Sequence, residues 1–365
     1  MDAENNVRPL LAKMGHEPAG PPEGQIPEGA ARSCPMSSIP NGGRRTVLQV
    51  AVAAGAATLL PLARAQAAWP SRPIRFVVPF APGGSSEIVA RSTAVELTKL
   101  LGQNVYVENK PGGAGNVAMA DVASATDQHT LVLGHIGTLA VNPFIFDKLP
   151  YDPIKDFKPI SLLAKVPSLY VVHPDVPARD LKEFVALAKA KPGQLNYGSA
   201  GNGSAGHLAF EYLKIATGIF VLHVPYRGTG PQLTDLLAGR LQAAAVGAPA
   251  ILQFIKAGKL RCIATGTAPR IAQLPDVPTV AEQGWPGFEM TQWYGLLAPM
   301  SQTQASADRL AAAAAKAMRE PAALERLNGD AAIAVGGTPA EFAAFIARER
   351  ERWKPVIVRA KIKPD

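Results

Sequence analysis

"IRFVVPFAPGGSSEIVAR", residues 74–91, joins two different patterns. Ile74 to Val78 is a run of β-branched and aromatic residues and reads as a buried strand. After the join, Ala90, Ala94, Leu97 and Leu101 recur at helical spacing and Gly102 follows as a stop, so a helix is predicted over 87–101. Gly83 and Gly84 permit positive φ and close backbone approach, and Ser85 or Ser86 is expected to cap the helix. Such a loop presents the helix's unpaired N–H groups and positive dipole end to whatever lies above it. Two readings stand: an anion seat, or an ordinary βα turn that holds nothing. A triphosphate is disfavoured, because a P-loop needs Lys and Ser/Thr after the glycines and Ser-Ser-Glu stands here. Glu87 would repel a dense phosphate charge, and a compact carboxylate fits better.

Outward from this stretch the design repeats. "NVYVEN" and "HTLVLGH" read as strands two and three, with a helix in "NVAMADVASA" between them. The βαβαβ order implies a parallel sheet with right-handed crossovers. Leu149 to Pro167 is punctuated by prolines, with a strand-like segment near 165–173. "SLYVVHPD" opens a second α/β unit of similar size, with further strands in "LNYGS", "FVLHV", "RLQAAAV" and "LRCIAT" and helices between them. "GFEMTQWYGLLAP" reads as an extended crossing segment, and the remainder is helical, with a capping box at Thr338 to Glu341. Two such units joined by crossing segments suggest a hinged, two-lobed α/β protein. Its default site is the cleft at the carboxyl ends of the strands.

Composition agrees with a soluble globular chain: 365 residues, 47% hydrophobic and 18% charged. The net charge of +8 is scattered without a Lys/Arg run, which argues against nucleic acid. Residues 1–43 are rich in Pro, Gly and polar types without periodicity. Arg44 and Arg45 then precede an alanine-rich apolar segment and small-x-small sites at 63–67. This reads as an export signal, twin-arginine-like in "RRTVL", cleaved near 65–67, and it implies a periplasmic or extracellular destination. Residues 1–67 are therefore set apart from the fold. Cys262, in an apolar strand, reads as a small core residue.

"GAGNVA", 113–118, matches a dinucleotide fingerprint by pattern alone and is read as a structural turn. "NYGSAGNGSAGHLAF", 196–210, and "HVPYRGTGPQL", 223–233, repeat the opening join in the second unit. Asn202 occupies the first glycine position of G-x-S-x-G around Ser204, so no nucleophile elbow is expected. His207 is read as a loop anchor in preference to a ligand contact, and Arg227 as either a carboxylate partner or a surface residue. Trp293 and Tyr294 are read as packing, with a cleft wall as the alternative. No His/Cys cluster has metal-ligand spacing.

Together, "WPSRPIRFVVPFAPGGSSEIVARSTAVELTKLLGQNVYVENKPGGAGN", "YGSAGNGSAGHLAFEYLK", "HVPYRGTGPQLTDLLAGRLQ" and "WYGLLAP" resemble the Bug-type periplasmic solute-binding proteins, the receptors of tripartite tricarboxylate transporters. The resemblance covers residues 69–365. It implies a type II periplasmic-binding-protein fold: two doubly wound α/β lobes, 68–168 with 292–365 and 169–291, closing on a ligand cleft. It implies a small carboxylate ligand (an organic acid, dicarboxylate, amino acid or aromatic acid), delivery to transporter membrane subunits, a monomer, and no cofactor, metal or catalytic residue. Carried onto this chain, the ligand-holding positions are Phe80, Gly84, Ser85, Ser86, Gly134 and Thr138 in the first lobe. In the second they are Ser199, Ala200, Gly201, Ser204 and Tyr226. Glu87 stands where the family usually has Asp, and either caps the loop or intrudes on the cleft. "AVGAPA", 245–250, is smaller than in many relatives and is expected to enlarge the pocket. The alternatives are a ligand-binding partner of a sensor and, more remotely, an exported hydrolase.

Overall fold

The structure is a computed structural model that describes residues 69–364. The expected leader and its cleavage site lie outside the described residues. β1 (Ile74–Val78) pairs in parallel with β2 (Val105–Asn109) on one side and β3 (Thr130–His135) on the other. α1 (Ser85–Leu101) and α2 (Asn116–Ala123) make the crossovers. A π-helical turn, Gly137–Val141, and the single turn α3 (Asn142–Ile145) follow β3.

The main departure from the sequence reading is β4 (Phe157–Val172), a strand of 16 residues that starts in the proline-punctuated stretch, well before the strand-like segment expected near 165–173. Proline lacks the ladder N–H and is tolerated in strands at edges or bulges. Here the β4 pairing with β9 (Thr291–Pro299) shifts register between Pro159 and Ser161 and again between Leu162 and Ala164. Pro167 falls where β4 leaves β9: from Ser168 onward its partners are β7 (Ala243–Gly247) and β8 (Arg261–Thr265). One strand thereby serves both lobes.

In the second lobe α4 (Leu181–Ala190) leads to β5 (Asn196–Ser199), which pairs in parallel with β6 (Leu222–Pro225) and with β7. α5 (Ala205–Thr217), α6 (Thr229–Leu237) and α7 (Ala248–Lys256) follow β5, β6 and β7 directly. The strand order is β2-β1-β3-β9-β4-β7-β5-β6, with β8 and the short β10 (Ile333–Ala334) also on β4. The expected strand over "FVLHV" starts later, at Leu222, and Phe220 is exposed.

α8 (Gln304–Ala317), α9 (Pro321–Gly329) and α10 (Pro339–Ala360) complete the chain. Thr338 and Glu341 form the capping box that their spacing predicts. α10 packs on β4 and the π-helical turn of the first lobe, and also on α5 of the second, so it bridges the two lobes. Its Glu349 is buried and accepts hydrogen bonds from both the Trp293 and Trp353 indole N–H groups, at 2.8 and 2.9 Å. Trp293 is thus core, as read. Cys262 is buried too, and burial pushes its thiol up to about 12.

Candidate functional site

In each βα join a short loop or none separates the strand from the helix that follows it, which places helix N-termini over the carboxyl ends of the strands. Here four starts converge. The lining of one cavity includes Ser85 and Ser86 of α1, Ser204 to Gly206 at the start of α5, Thr229 of α6 and Gly247 before α7. Each start carries N–H groups without an intrahelical acceptor and the positive end of a dipole, so together they favour an anion. Phe80, His135, Ala200, Gln232, Ala245, Val246, Gln292 and Tyr294 complete the wall.

The opening loop differs from expectation in one respect. Neither serine caps α1: Gly84 occupies the cap position without a side-chain hydrogen bond, and Ser85 and Ser86 are the first helical residues. Their hydroxyls are therefore not consumed by the helix. Ser85 Oγ is buried and has no hydrogen-bond partner in the structure. A buried hydroxyl without a partner costs about 1–3 kcal/mol and signals a missing one. Glu87 does not face the cavity. It accepts from the Gly83 N–H at 2.8 Å and pairs with Arg91 at 2.7 Å, the capping role that the reading held open.

Of the other expected positions, Phe80, Ala200 and Ser204 line the cavity with Ser85 and Ser86. Gly84 lies beside it, where a Cβ would come within 3.0 Å of Thr229 Oγ1 across the cleft. Gly134 and Thr138 sit behind the wall: Gly134 pairs with Gly295 on β9, and Thr138 bonds the His135 backbone. Ser199 and Gly201 shape the second loop from within. Ser199 Oγ bonds the Gly201 backbone and lies 2.7 Å from His223 Nε2. Tyr226 turns its hydroxyl to Asp235 at 2.8 Å, and Arg227 is exposed. His207 anchors the loop as read, accepting from the Gly203 N–H at 3.1 Å.

His135, Thr229, Gln232 and Gln292 line the cavity and were not singled out from sequence, while Tyr294 takes the cleft-wall alternative. His135 ends a parallel strand, which is itself a signal for a site residue. Gln292 and Tyr294 alternate on β9 and so share a face. The Tyr294 hydroxyl donates to Gln292 Oε1 at 3.0 Å, and burial raises its pKa. His135 is 1% exposed, and burial pushes its imidazole down to about 3.

The cavity measures about 30 Å³. The loops around it are in close contact: a Cβ on Gly228 would come 2.8 Å from that of Ala81. A second groove of about 380 Å³, lined by Lys165, Pro167, Arg270, Ile271, Glu289 and Ile333, lies along β4 and β9. It is larger, but Arg270 is already paired with Glu282 at 2.9 Å. The smaller cavity is the better site, because unpartnered buried polar atoms and helix starts meet there.

Fold and cavity define a two-lobe solute-binding protein. The chain belongs to the family of tripartite tricarboxylate transporter family receptors, whose model matches residues 89–362. It is 35% identical to protein BugT of Bordetella pertussis over 291 residues, 79% of this chain and 89% of that one. The solved Rpa4515 of R. palustris with adipate is 33% identical with a TM-score of 0.79, over 81% of this chain and 100% of that one. MatC of Rhodopseudomonas palustris, solved with bound malate, is 33% identical with a TM-score of 0.76, over 79% and 100%.

Proposed function

We propose that the protein is a periplasmic receptor that closes on a small carboxylate and hands it to the membrane subunits of a tripartite tricarboxylate transporter. The observation that carries this reading is the buried Ser85 hydroxyl, unpartnered in a cavity ringed by four helix starts. Helix N–H groups and a free hydroxyl suit a carboxylate's acceptor oxygens. The adipate and malate held by two relatives point the same way. Phe80, Ser85, Ser86, Ala200 and Ser204 are the proposed contacts. Gly84, Gly134, Thr138, Ser199, Gly201 and Tyr226 act by shaping the loops, and Glu87 by bracing the first of them.

The loops of the two lobes meet over this cavity, as Gly228 and Ala81 do, so an acid enters with the lobes apart and binding is coupled to closure. We place the lobe boundaries near 168 and 292, where β4 changes partners and β9 begins. The arginine-led segment at 44–67 supports export, and one chain supplies the whole site. The reading requires no catalysis. The Ser199–His223 contact could suggest a nucleophile, but Ser199 is fully buried and its hydroxyl is engaged by the loop backbone. A thermal-shift screen of mono-, di- and tricarboxylates tests the reading. Ligand at 100 times Kd adds about 2.7 kcal/mol of stability. Shifts with sugars or cations and none with acids would overturn it.

A further inference from the structure

The cavity wall holds a second unpartnered buried polar atom, His135 Nε2. The other ring nitrogen settles which proton it carries. Nδ1 accepts from the Gly137 N–H at 2.8 Å, so in the neutral ring the proton is on Nε2. The ring is held from two sides. Phe80 packs on it with ring centroids 4.6 Å apart. Gly137 presents bare backbone, where a Cβ would strike the imidazole and also come 2.6 Å from the Gly203 carbonyl oxygen. Burial keeps the imidazole neutral well below physiological pH, so Nε2 only donates.

We propose that His135 is a ligand-holding residue: its Nε2–H donates to the bound carboxylate alongside Ser85 Oγ, and it sets the preference for an acid over the matching carboxamide. This rests on the carboxylate reading above and goes further, by assigning a residue and a selectivity. The argument is one of complementarity. Helix-start N–H groups donate only, and a neutral imidazole with Nδ1 occupied donates only. A carboxylate offers acceptors on both oxygens. A carboxamide offers one oxygen and an NH2, and an NH2 turned to the helix starts and to Nε2 meets donors and leaves them unpaired, with only the Ser and Thr hydroxyls and the Gln232 carbonyl oxygen able to accept. Sites built in this way discriminate strongly, because the mismatch strands polar groups.

The test uses the full chain and titrates propionate, benzoate, malate and adipate, each against its amide, by calorimetry. His135→Asn keeps an acceptor near the Gly137 N–H while withdrawing the donor at Nε2. For whichever acid binds, wild type should prefer it to the amide by at least about tenfold, and the variant should lose roughly ten- to a hundredfold in affinity for the acid. The acid-to-amide preference should narrow with it. A second measurement does not depend on the variant folding: in 15N-edited spectra of the wild-type histidines, the His135 Nε2–H resonance should move downfield as the acid saturates. Acids that bind wild type and variant equally, or an Nε2–H signal unmoved at saturation, would overturn the assignment while leaving the carboxylate reading standing. Absence of binding by every acid would overturn both.

Discussion

The Glu87 carboxylate accepts a hydrogen bond from the Gly83 N–H at 2.8 Å, and its other oxygen meets the Arg91 guanidinium. Glu87 therefore braces the glycine loop and stays out of the cavity. Glu87→Ala should cost about 0.5–2 kcal/mol, as loss of a helix-start bond does. Denaturant unfolding reads the loss. The rank order of acids should not change, and a reordered selectivity would place Glu87 in the site after all.

Gly230 separates stability from binding. It lies in the first turn of α6, where Ala is normally favoured by roughly 0.5–1 kcal/mol, yet a Cβ there would run into the Pro82 carbonyl across the cleft. Gly230→Ala is expected to melt at the same or a higher temperature without ligand and to bind acids at least about tenfold more weakly, because the lobes are held apart. Calorimetry and thermal melts on one preparation check both halves. Undiminished affinity would mean that the closed contact is not part of binding.

The second loop gives the pH dependence. His207 and His223 stack with centroids 3.9 Å apart, beside Tyr197, Glu211 and Lys214. Burial pushes His207 down to about 4, with Lys214 adding to the effect, and pushes His223 down to about 3. The unfolded chain binds these protons near pH 6.5. Unfolding therefore takes up protons below that pH, and stability is full above about 6.5 and falls as pH drops toward about 4. The buried His135 acts in the same sense. Unfolding free energies at pH 7, 6 and 5 should decline steadily. A flat profile would show that these rings are charged when folded.

Glu349 ties α10 to β9. Glu349→Leu strands two buried indole N–H groups and should cost roughly 2–6 kcal/mol, whereas Glu349→Gln, which keeps an acceptor, should cost less. Equal losses in chemical denaturation would mean that the carboxylate's charge matters more than its acceptor oxygens.

How far the sequence was legible follows from where each signal sits. The βα joins at 79–86 and 199–205 announce themselves through glycines and hydroxyls between a strand run and a helix run, and the resemblance supplied the individual positions, of which Phe80, Ser85, Ser86, Ala200 and Ser204 line the cavity. The first half of β4 was hidden because its prolines read as breaks, and the bulged pairing with β9 explains how the ladder tolerates them. Gln292 was hidden, and Tyr294 left between packing and cleft wall, for another reason. An apolar strand such as β9 shows its period, but which face meets a cavity depends on distant strands. Ser199 and Tyr226 show the converse error: the right loop, with the side chain turned to His223 or Asp235.

The most direct measurement is a crystal structure with the acid that stabilises the protein most. The account requires a carboxylate oxygen within about 3.2 Å of Ser85 Oγ, among the starts of α1, α5, α6 and α7 and with the lobes closed over it. An acid bound instead in the groove beside Arg270 and Lys165, or one that turns only its apolar end to Ser85, would contradict it.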